Sequence, residues 1–315
     1  MYKRQSPNSF PTISIFSLVV PVLIIMNILF AIYWALKLKK QFLLSTLILL
    51  IGFQYVNSLY KVSEKKILLN DDVKIMSYNV RLFNIYKWKK EDKEETLKLV
   101  KDFIKEKDPD IICFQEFLTA YDVNFDYKYK FINNNPNKDV SSFGQAIFSR
   151  YEVINSGSLN FNSAANNAIF VDIVKNNDTI RIYNVHLESQ KIQLNKENFG
   201  EKDSDRLLKR IKNTFKKQAD QVEKLLAHEE TENYKTIICG DFNNTAFSYV
   251  YRQLKGSKND AFIEAGKGFG KSYDYIFPAR IDFILTNKNI TINNFKTYDN
   301  QHSDHFPIMA RLNFN

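Results

Sequence analysis

The sequence predicts an α/β domain preceded by two membrane-crossing segments. Three observations lead there. Residues 12–36 contain no charge, and residues 42–60 form a second apolar stretch. From about Asp71 onward, short apolar runs alternate with longer stretches of helical periodicity. Most of those runs stop at a carboxylate, an amide or an imidazole, which is where open α/β sheets place their chemistry.

The chain has 315 residues, with 44 Lys+Arg against 35 Asp+Glu and a formal net charge of +9. The excess is local. Residues 1–70 hold eight basic residues and one acid, Glu64, so residues 71–315 are close to neutral. A duplex-binding protein carries a basic footprint on its binding domain. Here the lysines flank apolar segments, as membrane proteins arrange them. Cys113 and Cys239 both lie in apolar runs and read as small buried hydrophobes, not as a disulfide framework or a metal site.

Residues 1–5 have the form of a translated adapter, which would leave the native N-terminus elsewhere; they are set aside from fold reasoning. Residues 12–36 are long enough, at about 1.5 Å per residue, to cross a hydrocarbon core of roughly 30 Å. Pro21 inside the stretch is tolerated in membrane helices, and Tyr33 and Trp34 suit an interfacial belt. No small-residue cleavage site follows, against a signal peptide. Lys37, Lys39 and Lys40 then separate this segment from residues 42–60, which either span the membrane or re-enter it; the two stretches read as a hairpin. The positive-inside rule puts that loop in the cytoplasm and residues 71–315 on the periplasmic side of a bacterial inner membrane; Lys61, Lys65 and Lys66 pull the other way.

In the second region, residues 71–315, Val73–Val80 alternates as a strand and ends near an amide, Asn79. Residues 91–107 carry Leu97, Val100, Phe103 and Ile104 at helical spacing. Residues 110–116 read as a strand ending in Glu116, and 121–140 as loop. Further strands are expected at 144–150, 168–174, 179–185, 236–241, 280–285 and 308–312. Asn176-Asn177-Asp178 signals a hairpin. Residues 203–228 predict a long helix with Leu207, Leu208, Ile211, Phe215, Ala219, Val222, Leu225 and Leu226 on one face. Residues 250–270 show no clear pattern.

The strand ends carry Asn79, Glu116, His186, Asp241 with Asn243, Asp282, and Asp304 with His305. Each alone has a plain structural reading, as a solvated end or a satisfied histidine. Asp282 is harder to dismiss, because a lone carboxylate in an apolar strand is costly unless paired, and a histidine is its natural partner.

In this order Ser77-Tyr78-Asn79-Val80-Arg81, Gln115-Glu116, Gly144–Arg150, Asn184-Val185-His186-Leu187, Gly240-Asp241-Phe242-Asn243, Arg280–Ile284 and Ser303-Asp304-His305-Phe306-Pro307 resemble the endonuclease/exonuclease/phosphatase superfamily. With the apolar N-terminus, the chain looks like a membrane-anchored bacterial subgroup of it. The resemblance implies a four-layer sandwich: two mixed β-sheets flanked by helices, with the site at one rim. It implies a Mg²⁺-dependent phosphoesterase, with Mn²⁺ as a substitute, of the nuclease or phosphodiesterase type. Magnesium favours hard oxygen donors. The resemblance gives Glu116 as the main metal ligand, with Asn79 and Asp304 nearby. It gives Asp282 orienting His305, Asp241 positioning or deprotonating water, Asn243 holding that water or a phosphoryl oxygen, and His186 on the phosphate or leaving group. Asn166 or Asn167 is a further phosphate contact to look for, whereas Arg81 and Arg150 read as structural or rim charges. The implied partners are nucleic acid or another phosphodiester, and the lipid bilayer; no protein partner is expected. Phospholipid or inositol-phosphate substrates are the alternative. A non-catalytic binding domain would have lost polar positions that here are all filled.

Overall fold

The computed structural model describes residues 6–119, 123–134, 143–161, 163, 166–176, 178–190, 201–275 and 277–314. The adapter-like residues 1–5 and Asn177 of the hairpin signal lie outside them.

The N-terminal region is helical but not straight. α1 (Pro11–Ile15) and a short 3-10 turn lead into α2 (Val20–Leu36), followed by α3 (Phe42–Ile51) and α4 (Phe53–Leu59). Among the described residues no single helix is long and apolar enough to cross a membrane. Pro11–Leu18 and Val20–Leu36 reach that length only together, across a 49° bend. Pro21, in the first turn of α2, supplies the cause: it has no N–H for the preceding turn and its ring clashes with that turn's carbonyl. The second expected segment is interrupted at Gly52. Residues 61–69 then lie along the following domain. Lys61 bridges to Gly268 and Lys66 to Asn294, and the Arg311 guanidinium donates to the Leu69 carbonyl.

The rest of the chain builds two six-stranded mixed sheets with helices outside. In chain order come β1 (Val73–Asn79), α5 (Lys93–Lys107), β2 (Ile111–Leu118), β3 (Tyr129–Asn134), β4 (Phe143–Ser149), β5 (Val153–Ser158), β6 (Asn167–Lys175), β7 (Asp178–His186) and α6 (Glu201–Glu229). β8 (Lys235–Asp241), α7 (Tyr249–Lys255), β9 (Asn259–Asp260), α8 (Ala261–Ala265), β10 (Asp282–Thr286), β11 (Thr291–Thr297) and β12 (Ile308–Asn313) complete it. The strand orders are β11-β12-β1-β2-β4-β3 and β5-β6-β7-β8-β10-β9. Each sheet holds one parallel pair, β1–β2 and β7–β8, whose crossovers carry α5 and α6. Parallel neighbours require such crossovers.

Alternation along the strands fills the space between the sheets with Ile75, Ile111, Ile169, Val171, Ile182, Ile237, Ile284 and Ala310, together with Cys113 and Cys239. The opposite faces pack under α5 and under α6 and α7. α5 is capped by the Asp92 side chain, which accepts from the Glu95 N–H.

Four details differ from the sequence expectation. The 121–140 stretch contains β3, an edge strand whose Lys and Asn content hides its alternation. β5 and β11, both Asn- or Ser-bearing, were likewise not anticipated. The 250–270 region holds α7 and α8, too short to show a helical period. On α6, Leu208, expected on the apolar face, is exposed.

Candidate active site

Sheet register gathers the polar strand ends on one rim. Asn79 pairs with Gln115, His186 with Asp241, and Asp241 with Asp282. β12 runs antiparallel to β1, so the Ser303–His305 turn before it reaches the same rim. Gly240 permits the β7–β8 approach: at φ 138°, a Cβ there would meet the Val185 carbonyl oxygen at 2.0 Å. Glu116 has φ 48° and lies at the irregularity in β2–β4 pairing between Phe114 and Phe117. A bulge of this kind re-aims a side chain, here into the rim.

The side chains meet. The Asn79 amide donates to Asp241 Oδ2 at 3.1 Å and faces Glu116 Oε1 at 3.4 Å. His186 Nε2 lies 3.7 Å from both carboxylates. His305 Nδ1 is 3.0 Å from Asp282 Oδ2, and its Nε2 is 3.6 Å from Asp241 Oδ2. The Asn243 backbone N–H donates to Asp241 Oδ1 at 2.7 Å, with Asn243 at φ 49°. Asp304 is bound by Arg81 Nη1 at 3.1 Å.

A second set of groups, which sequence reasoning assigned no role, holds these in place. The Ser303 hydroxyl donates to the Asn79 carbonyl and accepts from the His305 N–H. Ser272 Oγ accepts from the Ile281 and Asp282 N–H groups, and the Tyr273 ring lies 4.9 Å from the His305 ring. Below the rim the Asn184 amide bridges the sheets. It donates to the Phe114 and Ala146 carbonyls and accepts from Gln115 Nε2 at 2.7 Å, while Gln145 donates to the Asn184 carbonyl. Through these bonds the buried amides tie the two sheets together, although Gln115 Oε1 and Gln145 Oε1 are left without a hydrogen-bond partner among the described residues. Motif residues Gln115, Gln145 and Asn184 thus act as bracing.

Arg81, expected as a structural or rim charge, pairs with Asp304, a candidate metal ligand. Arg150 pairs with Asp108 and Asp110, at the far end of the strands. Asn166 donates to the Leu187 carbonyl, which also accepts from the Asn243 side chain. Asn167 turns instead to Phe161 and Ser158.

Burial raises the Glu116 carboxyl above its usual range, and Asp304 adds to the effect. Burial lifts Asp241 to about 6; Asp282 adds to this, while His305 and His186 oppose it. For His305 burial disfavours charge, but Asp282 and Asp241 outweigh it and raise the imidazole to about 10. Four carboxylates thus face one charged imidazole, one guanidinium and His186. The excess is anionic and the donors are mostly hard oxygens, which fits a divalent cation. The Asp241, Asp282 and His305 donor atoms lie within 4.8 Å of one another. Of those, Asp282 and His305 already satisfy each other, whereas Glu116 has only weak protein partners.

A family model described as the endonuclease/exonuclease/phosphatase family matches residues 76–305. The chain belongs to that family. Its enzymes are phosphoester hydrolases that use divalent metals. A model for a domain of unknown function matches residues 3–59. A search of curated proteins finds no match. Among solved structures, the catalytic domain of human Nocturnin with a bound sulfate anion superposes with a TM-score of 0.59 at 16% identity, over 82% of this chain and 98% of that one. A family protein from Leptotrichia buccalis gives 0.55 at 19% identity, over 77% and 100%. A mannosyl-6-phosphatase from Bacteroides thetaiotaomicron gives 0.54 at 16% identity, over 77% and 100%. At such identities the likeness is one of fold.

Proposed function

We propose that this family member is a magnesium-dependent phosphodiesterase of the nuclease type, held at a membrane by its N-terminal helices. One observation carries the reading. The buried Asp241 carboxylate, raised to about 6, stands beside a charged imidazole, a second histidine, and the Asn79 amide that also faces Glu116. That is a general base poised near neutral pH.

Glu116, Asn79 and Asp304 would hold the cation, which when bound neutralises charge on the phosphoryl and leaving oxygens. Asp241 orients the attacking water and takes its proton. The Asn243 N–H holds Oδ1, and Oδ2, which accepts from the Asn79 amide at 3.1 Å, turns toward His186 and His305. Asp282 keeps His305 protonated, so that Nε2 donates to a nonbridging phosphoryl oxygen and stabilises charge as it develops. His186 serves the phosphate or the leaving oxygen.

Membrane attachment is supported by the surface of the helical region. Leu29, Leu36, Leu44, Leu50 and Ile51 are 60–80% exposed. Contiguous apolar surface of that kind marks a lipid or protein contact. Lys37, Lys39 and Lys40 between α2 and α3 favour a cytoplasmic loop and a periplasmic catalytic domain in a bacterial inner membrane.

The near-neutral charge of residues 71–315 favours a second reading, a phospholipid or inositol-phosphate head group. Plasmid DNA, RNA, sphingomyelin and inositol phosphates assayed side by side with wild type and His305→Ala test both. The proposal expects magnesium-dependent cleavage of a nucleic acid that His305→Ala abolishes. Cleavage confined to the lipid or inositol substrates would transfer the assignment, and equal rates in both proteins would overturn it.

A further inference from the structure

Directly after Asn79 the chain adopts a conformation that L-residues avoid. Arg81, Leu82, Phe83 and Asn84 have φ between 43° and 60°, and Lys87 has φ 54°. Each such residue is strained, and strain of this kind persists only where surrounding contacts impose it. Here Leu82 and Phe83 are buried, the latter against Phe117, next to Glu116. The buried Asn84 side chain donates to the Glu91 carbonyl at 2.6 Å and accepts from the Lys89 N–H at 3.1 Å, closing the loop on itself. Lys89 Nζ reaches the Gln301 carbonyl.

What this rigid loop presents is Tyr86-Lys87-Trp88-Lys89-Lys90. Tyr86 is 60% exposed and Trp88 43% exposed, edge to face at 5.1 Å. The Arg81 guanidinium lies 4.2 Å from the Trp88 ring centre and also holds Asp304. The indole is therefore one guanidinium away from the catalytic cluster, packed beside Lys89 and His302. Lys87 and Lys90 are exposed, and no ion pair engages either among the described residues.

Resting on the phosphodiesterase reading, we propose that the Arg81–Lys90 loop is a specificity subsite for single-stranded nucleic acid. It stacks a base flanking the scissile phosphate on Trp88 and Tyr86, while Lys87 and Lys90 meet neighbouring phosphates. Aromatic faces interleaved with cations are how sequence-tolerant single-strand binders work. Tryptophan, tyrosine and lysine also suit a bilayer interface. A bilayer anchor, however, needs no registration with one catalytic carboxylate, and a base beside the phosphate does.

The test uses the full chain in detergent, with Trp34→Phe so that Trp88 alone reports. Oligothymidylate should quench Trp88 emission at least ten-fold more tightly than the same backbone with abasic positions. Trp88→Ala should lower kcat/KM for oligothymidylate by about ten-fold or more relative to its effect on the abasic oligonucleotide, the loss expected for one stacked base. Trp88→Tyr should recover most of it, which a folding defect would not. Equal losses on both substrates would sink the subsite while leaving the phosphodiesterase reading standing. Base-dependent quenching without any cleavage would keep the subsite and sink that reading. Quenching by phosphatidylglycerol vesicles but not by oligonucleotide would make the loop a membrane contact and overturn the proposal.

Discussion

Two kinds of carboxylate occur inside this domain. Asp172 is bound by Arg181 through two bonds of 2.7 and 2.8 Å. Asp260 is held by Arg280 at 2.8 Å and by the Tyr251 hydroxyl at 2.6 Å. In both pairs the charge is answered within the chain. Glu116 is not answered in that way. Its recorded partners are an amide at 3.4 Å and a histidine at 3.7 Å, and its carboxyl is raised by burial. A desolvated carboxylate with only weak partners, even one 30% exposed, gains from a cation that binds it. The structural acids are complete as folded; at the rim Asp282 and Asp304 also have close partners, whereas Glu116 rests on weak ones.

The sharpest way to break that contrast is chelation. Excess chelator should abolish turnover, and magnesium or manganese should restore it; full activity in chelator would mean that Glu116 needs no cation. His305→Ala should come next, lowering kcat by about 10²–10⁴-fold with an unchanged circular dichroism spectrum. A small effect would remove the imidazole from the chemistry.

For the structural pairs the expectation reverses. Arg181→Ala strands Asp172 and should cost about 3–5 kcal/mol of stability in denaturant unfolding while kcat per folded molecule holds. A large kcat loss at unchanged stability would show that the two kinds of acid are not distinct.

The smallest effect is a titration. In metal-free protein the His305 ring should remain protonated until about pH 10. Its folded pKa is raised, so its contribution to stability is complete below about 6.5 and is lost as pH rises through about 10. Asp282→Asn removes the carboxylate charge at 3.0 Å and should bring the imidazole NMR transition down. An unmoved transition would detach Asp282 from the role of positioning residue.

The strands that carry motif residues were legible because buried runs ending in Gly-Asp or His have few other readings. β3, β5 and β11 were not, since edge strands tolerate Asn, Ser and Lys on the open side and lose their alternation. Which polar residues meet was suggested by their order along the chain. What could not be read was the bracing. Nothing local distinguishes Asn184, which ties two sheets, from Asn167, which tidies a strand end. The same holds for the partner of Arg81, a structural or rim charge by its sequence: Asp304 is more than two hundred residues away. The apolar N-terminus was visible, but the bend at Pro21 and the break at Gly52 depend on how each turn resolves its backbone bonds.

Manganese binding followed by electron paramagnetic resonance tests the central claim most directly, because two positions are available for the cation. With Glu116 as the principal ligand, Glu116→Gln should weaken manganese binding strongly, whereas His305→Ala should bind it and turn nothing over. Binding retained in Glu116→Gln and lost in His305→Ala would place the cation among Asp241, Asp282 and His305 and contradict the account.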